Sequence, residues 1–270
     1  MKRFIVTGMV FLLSAFVLFA GASKEKDSSV KRVTVGLESG SRPLSYIDEK
    51  GNKAGYEVDV LTAVDELIPE YSLNLELVED DATQIGLETG KYVLIGGGLF
   101  RTPEREAKYL LPKAISGVSV IYIYVQENNT SIQSFDDLVG KNLVPSSPNG
   151  GIYNLLTAYN KEHPDAQITI TTAEGISLAD RFTSVSNGQY DAIVLPNNLG
   201  FEGIKQELGL KVKAVEKPIQ VNGTYFALAK DQTDLAAKID TALSTLRENG
   251  KLSELSIKWY GSDTIKLFNQ

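Results

Sequence analysis

Gly96-Gly97-Gly98-Leu99-Phe100-Arg101-Thr102-Pro103-Glu104-Arg105 is the stretch whose reading decides the fold. A flexible glycine run there leads into a helix start. Thr102 is of the residue type that caps helices, and Pro103 suits the first helical position, where its missing N–H would go unpaired anyway. Backbone N–H groups and an arginine then converge on one small volume, which is how a protein holds a carboxylate. Arginine fits that task because its planar fork gives two parallel charge-assisted hydrogen bonds to one carboxylate. Alone, the ten residues also describe a surface arginine on an amphipathic helix after a glycine turn. Their surroundings decide between the two.

Working outward, short apolar runs alternate with helical patterns. Residues 33–36 and 93–95 read as strands, 73–77 as a period-two strand and 58–67 as a helix. Residues 118–125, rich in β-branched and aromatic side chains, form a run long enough to cross from one lobe to another. Beyond it the alternation restarts, with helices expected over 134–138, 152–160, 177–187 and 199–208, and strands over 142–144, 168–172 and 191–195. Residues 218–223 offer a return crossing before a strand over 225–229. Leu235, Ile239, Ala242, Leu243 and Leu246 mark one buried helix face, and Asn249-Gly250 ends that helix before a second one. The rhythm is that of an α/β fold. No repeat of about 20–50 residues is present, which argues against a solenoid.

The first 22 residues read as a secretory signal: Lys2 and Arg3, an apolar run over 4–20, and Ala20-Gly21-Ala22 as a small-x-small cleavage site before Ser23. Leu18-Phe19-Ala20-Gly21 also looks like the start of a bacterial lipoprotein signal, but Ala22 stands where the lipid-bearing cysteine would be. The mature chain is therefore expected in the periplasm or outside the cell. Residues 23–31, charged and serine-rich, are expected to be a flexible linker. Removing 22 of 270 residues leaves 248, enough for two modest lobes, and losing Lys2 and Arg3 takes the formal charge from −7 to −9. Such an acidic chain is a poor partner for nucleic acid. With no cysteine and one histidine, His163, the chain has no thiolate site and no multi-histidine zinc centre, and His163 sits at a polar helix exit before a proline. No cofactor and no metal are expected, and the protein is expected to be a monomer.

Four segments carry a resemblance in order: Ser41-Arg42-Pro43-Leu44-Ser45-Tyr46 with Gly51; Gly55-Tyr56-Glu57-Val58-Asp59-Val60; Thr102-Pro103-Glu104-Arg105; and Asn249-Gly250 followed by Lys258-Trp259-Tyr260-Gly261. With them the chain resembles the solute-binding proteins of bacterial amino-acid ABC transporters, the family of the periplasmic histidine-, glutamine- and cystine-binding proteins. The likeness spans roughly residues 31–264, departs from the usual pattern at Asp65, and leans toward the cystine and polar amino-acid branch. It implies a two-lobed type II periplasmic-binding-protein fold with two crossing hinge strands. Lobe 1 would take residues 32–121 and 222–264 and lobe 2 residues 122–221, with 265–270 as a tail.

Carried over residue by residue, the family's carboxylate clamp falls on Arg105, with backbone groups at Gly98 and Phe100 supporting the ligand. Glu38 falls where many members read the ligand side chain, and Ser41 where an aromatic ring commonly stacks. Arg42 beside it reaches into the cleft or faces solvent. Ser147, Asn149 and Gly150 belong to the loop that meets the ligand carboxylate from the second lobe. The aspartate that usually binds the ligand ammonium is replaced by Pro196, leaving Asn197 or Glu38 to take it over. The resemblance implies a receptor that captures a small amino acid and hands it to a membrane-embedded ABC permease. The alternatives on the same fold are a cyclohexadienyl-dehydratase-like enzyme with Glu38 as its acid, and an organic-acid or sensory binding protein.

Overall fold

A parallel sheet needs crossover connections, and the first half of the chain supplies them. Strand β1 (Lys31–Glu38) is followed by a small antiparallel sheet of β2 (Gly40–Ser41), β3 (Ser45–Ile47) and β4 (Lys53–Ala54). Helix α1 (Tyr56–Leu67) then leads to β5 (Tyr71–Val78), which pairs parallel to β1 from Lys31↔Tyr71 to Glu38↔Val78. Helix α2 (Asp80–Glu88) crosses back to β6 (Leu94–Phe100), parallel to β1 on its other side. This computed structural model describes residues 30–148 and 150–268. The expected signal segment, most of the expected linker and Asn149 lie outside the described residues.

After β6 come α3 (Pro103–Lys108) and β7 (Gly117–Gln126), then α4 (Gly151–Glu162), α5 (Leu178–Ser186), β8 (Ala192–Pro196), α6 (Phe201–Leu208) and β9 (Val212–Ala214). Strand β10 (Gln220–Leu228) returns, and α7 (Thr233–Glu248) and α8 (Lys251–Tyr260) close the fold. The large sheet runs β5-β1-β6-β10-β7-β8, with β9 also on β7. Strands β7 and β10 pair antiparallel from Thr224↔Gly117 to Gln220↔Ile121; past that point β7 pairs with β8 and β9, while β10 pairs with β6.

The apolar core divides where those two strands cross. Val35, Leu37, Leu61, Leu94, Val120, Phe226, Ile239 and Leu243 belong to one cluster. Ile121, Ile123, Val125, Leu138 and Val194 belong to a second, and Tyr124, Phe182 and Phe201 to a third beside it. The change of cluster falls between Val120 and Ile121 on β7, and Ile219 and Val221 flank it on the return strand. Two lobes joined by two crossing strands follow. The buried face of α7 is Leu235, Ile239, Ala242, Leu243 and Leu246, as its period requires, and Gly250 ends it at φ +82°.

Several expectations are corrected. The glycine run is no flexible loop: Gly96–Gly98 lie within β6, and Gly97 and Gly98 at φ +123° and +63° bend its end. Residues 142–144 and 168–172 contribute only single bridges, Leu143↔Ala192 and Ser146↔Thr172, because their neighbours pair with no second residue. The 134–138 helix shrinks to a 3-10 turn, Asp136–Leu138, and Ser177 caps α5 from outside it. The β2-β3-β4 sheet and α2 had no expectation attached to them. Residues 265–268 do not dangle: Ile265 is buried and Phe268 packs on the first core.

Candidate ligand-binding site

Three of the four quoted segments meet around the first turn of α1. Its entry is fixed by Tyr56 and Glu57, whose N–H groups donate to the carbonyls of Pro43 and Leu44 at 2.9 Å each. Gly55 has to be glycine there, since a Cβ would stand 2.4 Å from the Leu44 carbonyl oxygen at φ +128°. One turn on, the Asp59 carboxylate accepts from Lys258 Nζ and Trp259 Nε1, both at 2.7 Å, and the Tyr56 and Tyr260 rings lie 5.0 Å apart. Asp65, the departure from the family pattern, accepts from the Leu73 N–H at 2.7 Å and so ties α1 to β5.

Glu57 joins the glycine run of β6, which precedes the third segment, to this cluster. Its carboxylate, 1% exposed, accepts from the Gly97 N–H at 2.8 Å and the Gly98 N–H at 3.0 Å. Burial pushes its pKa up to about 7; the two backbone donors pull the other way, and the nearby Glu38 carboxylate adds to the rise. The Gly98 N–H is thus spent inside the protein, and only its carbonyl remains for a ligand. Sequence reading took Glu57 as a motif letter; the acid beside Gly55 was the available signal.

Of the two arginines near α3, one is tied and one is free of acid. Arg101 pairs with Glu106, donates to the Pro112 carbonyl and lies 4.4 Å over the Tyr225 ring. Arg105, half-buried, donates from Nη1 to the Phe100 carbonyl at 2.9 Å, and among the described residues no carboxylate lies within ion-pair distance of it. Thr102 caps α3 as expected, but its Oγ takes the Arg105 N–H at 3.2 Å, so that donor is not left for a ligand either. Phe100 itself is exposed.

Facing the Gly97 and Gly98 backbone are Glu38, whose Oε1 would be 2.9 Å from a Cβ at Gly97, and Asn198, whose Nδ2 would be 3.5 Å from one at Gly98. Ser41 donates to Glu38 Oε2 at 2.6 Å, so these two act as one unit rather than offering an aromatic wall. Arg42 lies over the Tyr46 ring at 4.1 Å and lines a cavity of about 470 Å³ between the lobes with Asn197, Gly200 and Trp259. Ser147 and Gly150 line a different cavity, of about 380 Å³, on the second lobe, and Leu178 and Leu199 wall both. Arg105, Gly98, Phe100, Glu38 and Ser41 line neither cavity, so the expected residues among those described fall into three groups.

Asn197 does not have the role expected of it. Its Oδ1 already accepts from the Val120 N–H on β7 at 2.9 Å, which leaves only a donor, Nδ2, buried and without a partner among the described residues. An ammonium needs an acceptor. The neighbouring Asn198 has one: its Oδ1 is buried and without a partner among the described residues, in a position that the family pattern does not single out.

The family model for bacterial extracellular solute-binding proteins, family 3, matches residues 33–262. The chain belongs to this family. Among its relatives, the L-cystine-binding protein TcyJ of Bacillus subtilis is 29% identical over 265 residues, 96% of either chain. The probable amino-acid-binding protein YxeM of the same organism is 31% identical over 263 residues, 96% of this chain and 94% of its own. The crystal structure of the probable amino-acid ABC transporter extracellular-binding protein ytmK, also from Bacillus subtilis, superposes with a TM-score of 0.77 at 25% identity, covering 87% of this chain and 99% of that one.

Proposed function

We propose that this family 3 protein is an exported receptor that captures a small α-amino acid between its lobes and delivers it to the membrane permease of an ABC transporter. The observation that carries the reading is the state of Arg105: a half-buried guanidinium at the end of β6 with no acid to neutralise it among the described residues, beside an Arg101 that has one. A carboxylate ligand supplies the missing charge. The names of the relatives, an L-cystine-binding protein and a probable amino-acid-binding protein, support an amino acid as the cargo and put L-cystine among the first candidates.

The lobes of this proposal are residues 32–121 with 222–264 and residues 122–221. Their hinge is the β7/β10 pair, two extended strands that bend without breaking either core. Arg105 and the Phe100 carbonyl hold the carboxylate end, and Ser147 and Gly150 close on it from the second lobe. The ammonium is taken by Asn198 Oδ1, with Glu38 and the Gly98 carbonyl on the facing side, in place of the aspartate that Pro196 displaces. Charge from Glu38 offsets the desolvation that neutral acceptors leave partly uncompensated. The reading makes the chain a carrier and not a catalyst, placed outside the cytoplasmic membrane. A thermal-shift screen of the mature chain against the common amino acids, L-cystine and several organic acids tests it, because a ligand bound only by the folded state raises the melting temperature. A shift with at least one amino acid is expected; a screen in which none shifts overturns the reading.

A further inference from the structure

The second-lobe cavity of about 380 Å³ holds two polar groups that the amino-acid reading leaves unused. Arg181, on α5, is only 7% exposed. It donates from Nε to the Ile176 carbonyl at 3.2 Å and from Nη1 to the Pro145 carbonyl, and Nη2 has no acceptor among the described residues. No carboxylate lies within ion-pair distance of it among those residues. Burial alone draws its pKa below the ordinary arginine value. Ser146, also 7% exposed, has a buried Oγ with no hydrogen-bond partner among the described residues, while its backbone is held by Thr171 and Ala173.

A buried charge and a buried hydroxyl are both costly when unanswered, and neutral carbonyls answer a guanidinium only in part. Both side chains line the same cavity, whose remaining walls, Leu143, Leu156, Ile193 and Leu195 among them, are apolar. Ser147 and Gly150 line it as well, and Gly150 precedes α4 with no side-chain cap. A largely apolar lining that includes one guanidinium and one hydroxyl suits a ligand with an apolar chain and an anionic group.

We propose that this cavity is a subsite for a second carboxylate of the ligand, held by Arg181 Nη2 and Ser146 Oγ, so that the receptor prefers amino acids with a distal acid. The proposal rests on the receptor reading, with the α-carboxylate at Arg105. It predicts discrimination between ligands that differ only in that distal group, because a site built to pair an acid leaves its own buried donors unpaired by the neutral analogue.

The test is calorimetry on the mature chain with two probe pairs. One is L-glutamate against L-glutamine. The other is L-cystine against the cysteine–cysteamine mixed disulfide, which keeps the disulfide and distal ammonium and lacks only the distal carboxylate. In at least one pair the diacid should bind tenfold or more tighter. Arg181→Gln should reduce that ratio to below threefold. If Arg181 only staples the Pro145 and Ile176 loops, the variant weakens both members alike and the ratio stays, which overturns the proposal. Ser146→Ala removes a hydroxyl with no partner among the described residues and so leaves folding intact; it should lower diacid affinity at least threefold and spare the analogue without the distal carboxylate. Equal loss for both, or none, counts against the subsite. Analogues without the distal carboxylate binding as tightly as their diacids, or no binding of any of these probes, would sink this subsite and leave the receptor to the thermal-shift screen. Binding unaffected by Arg105→Ala would take down both.

Discussion

Replacing Arg105 by alanine separates a ligand clamp from a structural arginine. In the protein the side chain makes one hydrogen bond, to the exposed Phe100 carbonyl, and α3 buries none of its residues. Losing that bond costs about 0.5–1.5 kcal/mol at most, and alanine recovers a few tenths through helix propensity. In a domain of this size 1 kcal/mol corresponds to about 2–4 °C, so the melting temperature should fall by no more than about 4 °C. Binding should suffer far more. Truncating one partner of a hydrogen-bonded charge pair that closure buries costs about 2–5 kcal/mol, on the order of 30-fold to several-thousand-fold in affinity. Arg105→Lys keeps the charge and loses the fork, so it should fall between the two. Calorimetry and thermal melts on the three proteins decide. Near-native affinity in Arg105→Ala, or a collapse of stability that accounts for the lost binding, refutes the clamp.

Three further outcomes are expected. The Glu57 carboxyl has a folded pKa raised to about 7 from an ordinary 4.5, so between those values the native state holds more protons than the unfolded one. Its contribution is therefore greatest below about pH 4.5 and declines as pH rises to about 7; Glu57→Gln should flatten the fall in urea-unfolding stability between pH 5 and 8, and an unchanged slope would remove Glu57 as its source. Ligand-driven closure about β7 and β10 should shrink the radius of gyration in small-angle scattering, and an unchanged radius at proven saturation would eliminate the hinge. Asn198→Ala should weaken amino-acid binding about tenfold or more with Asn197→Ala acting mainly on stability, since only Asn198 keeps a free acceptor; the reverse pattern would return the ammonium to Asn197.

Much of the fold could be read because its signals were local or strongly periodic. Thr102 and Pro103 announce α3, the apolar period of α7 predicts its buried face, and the long β-branched run at 118–125 foretells a strand buried along nearly its whole length. The second lobe was less legible. Residues 142–144 and 168–172 have the apolar content of strands, but a short run cannot reveal whether it meets one partner residue or several. The proposed site residues are legible only where a motif marks them, which is how Arg105 enters the proposal. Which hydrogen bond an amide has already spent is written nowhere in one dimension. Asn197 and Asn198 are chemically identical neighbours, and only packing against the Val120 N–H separates them. Arg181 illustrates the same limit: no motif marks it, and it is the fold that turns it inward onto two loop carbonyls and a cavity.

The central claim, that the cleft receives an α-amino acid, is tested most directly by competition between the tightest-binding amino acid and its des-amino analogue for the purified mature chain. With the Asn198 Oδ1 facing the ammonium, the des-amino compound should bind at least tenfold more weakly, because it leaves that buried acceptor without the partner the ligand supplies. Equal or tighter binding of the des-amino compound would contradict the account and make the ligand an organic acid carried by the same fold.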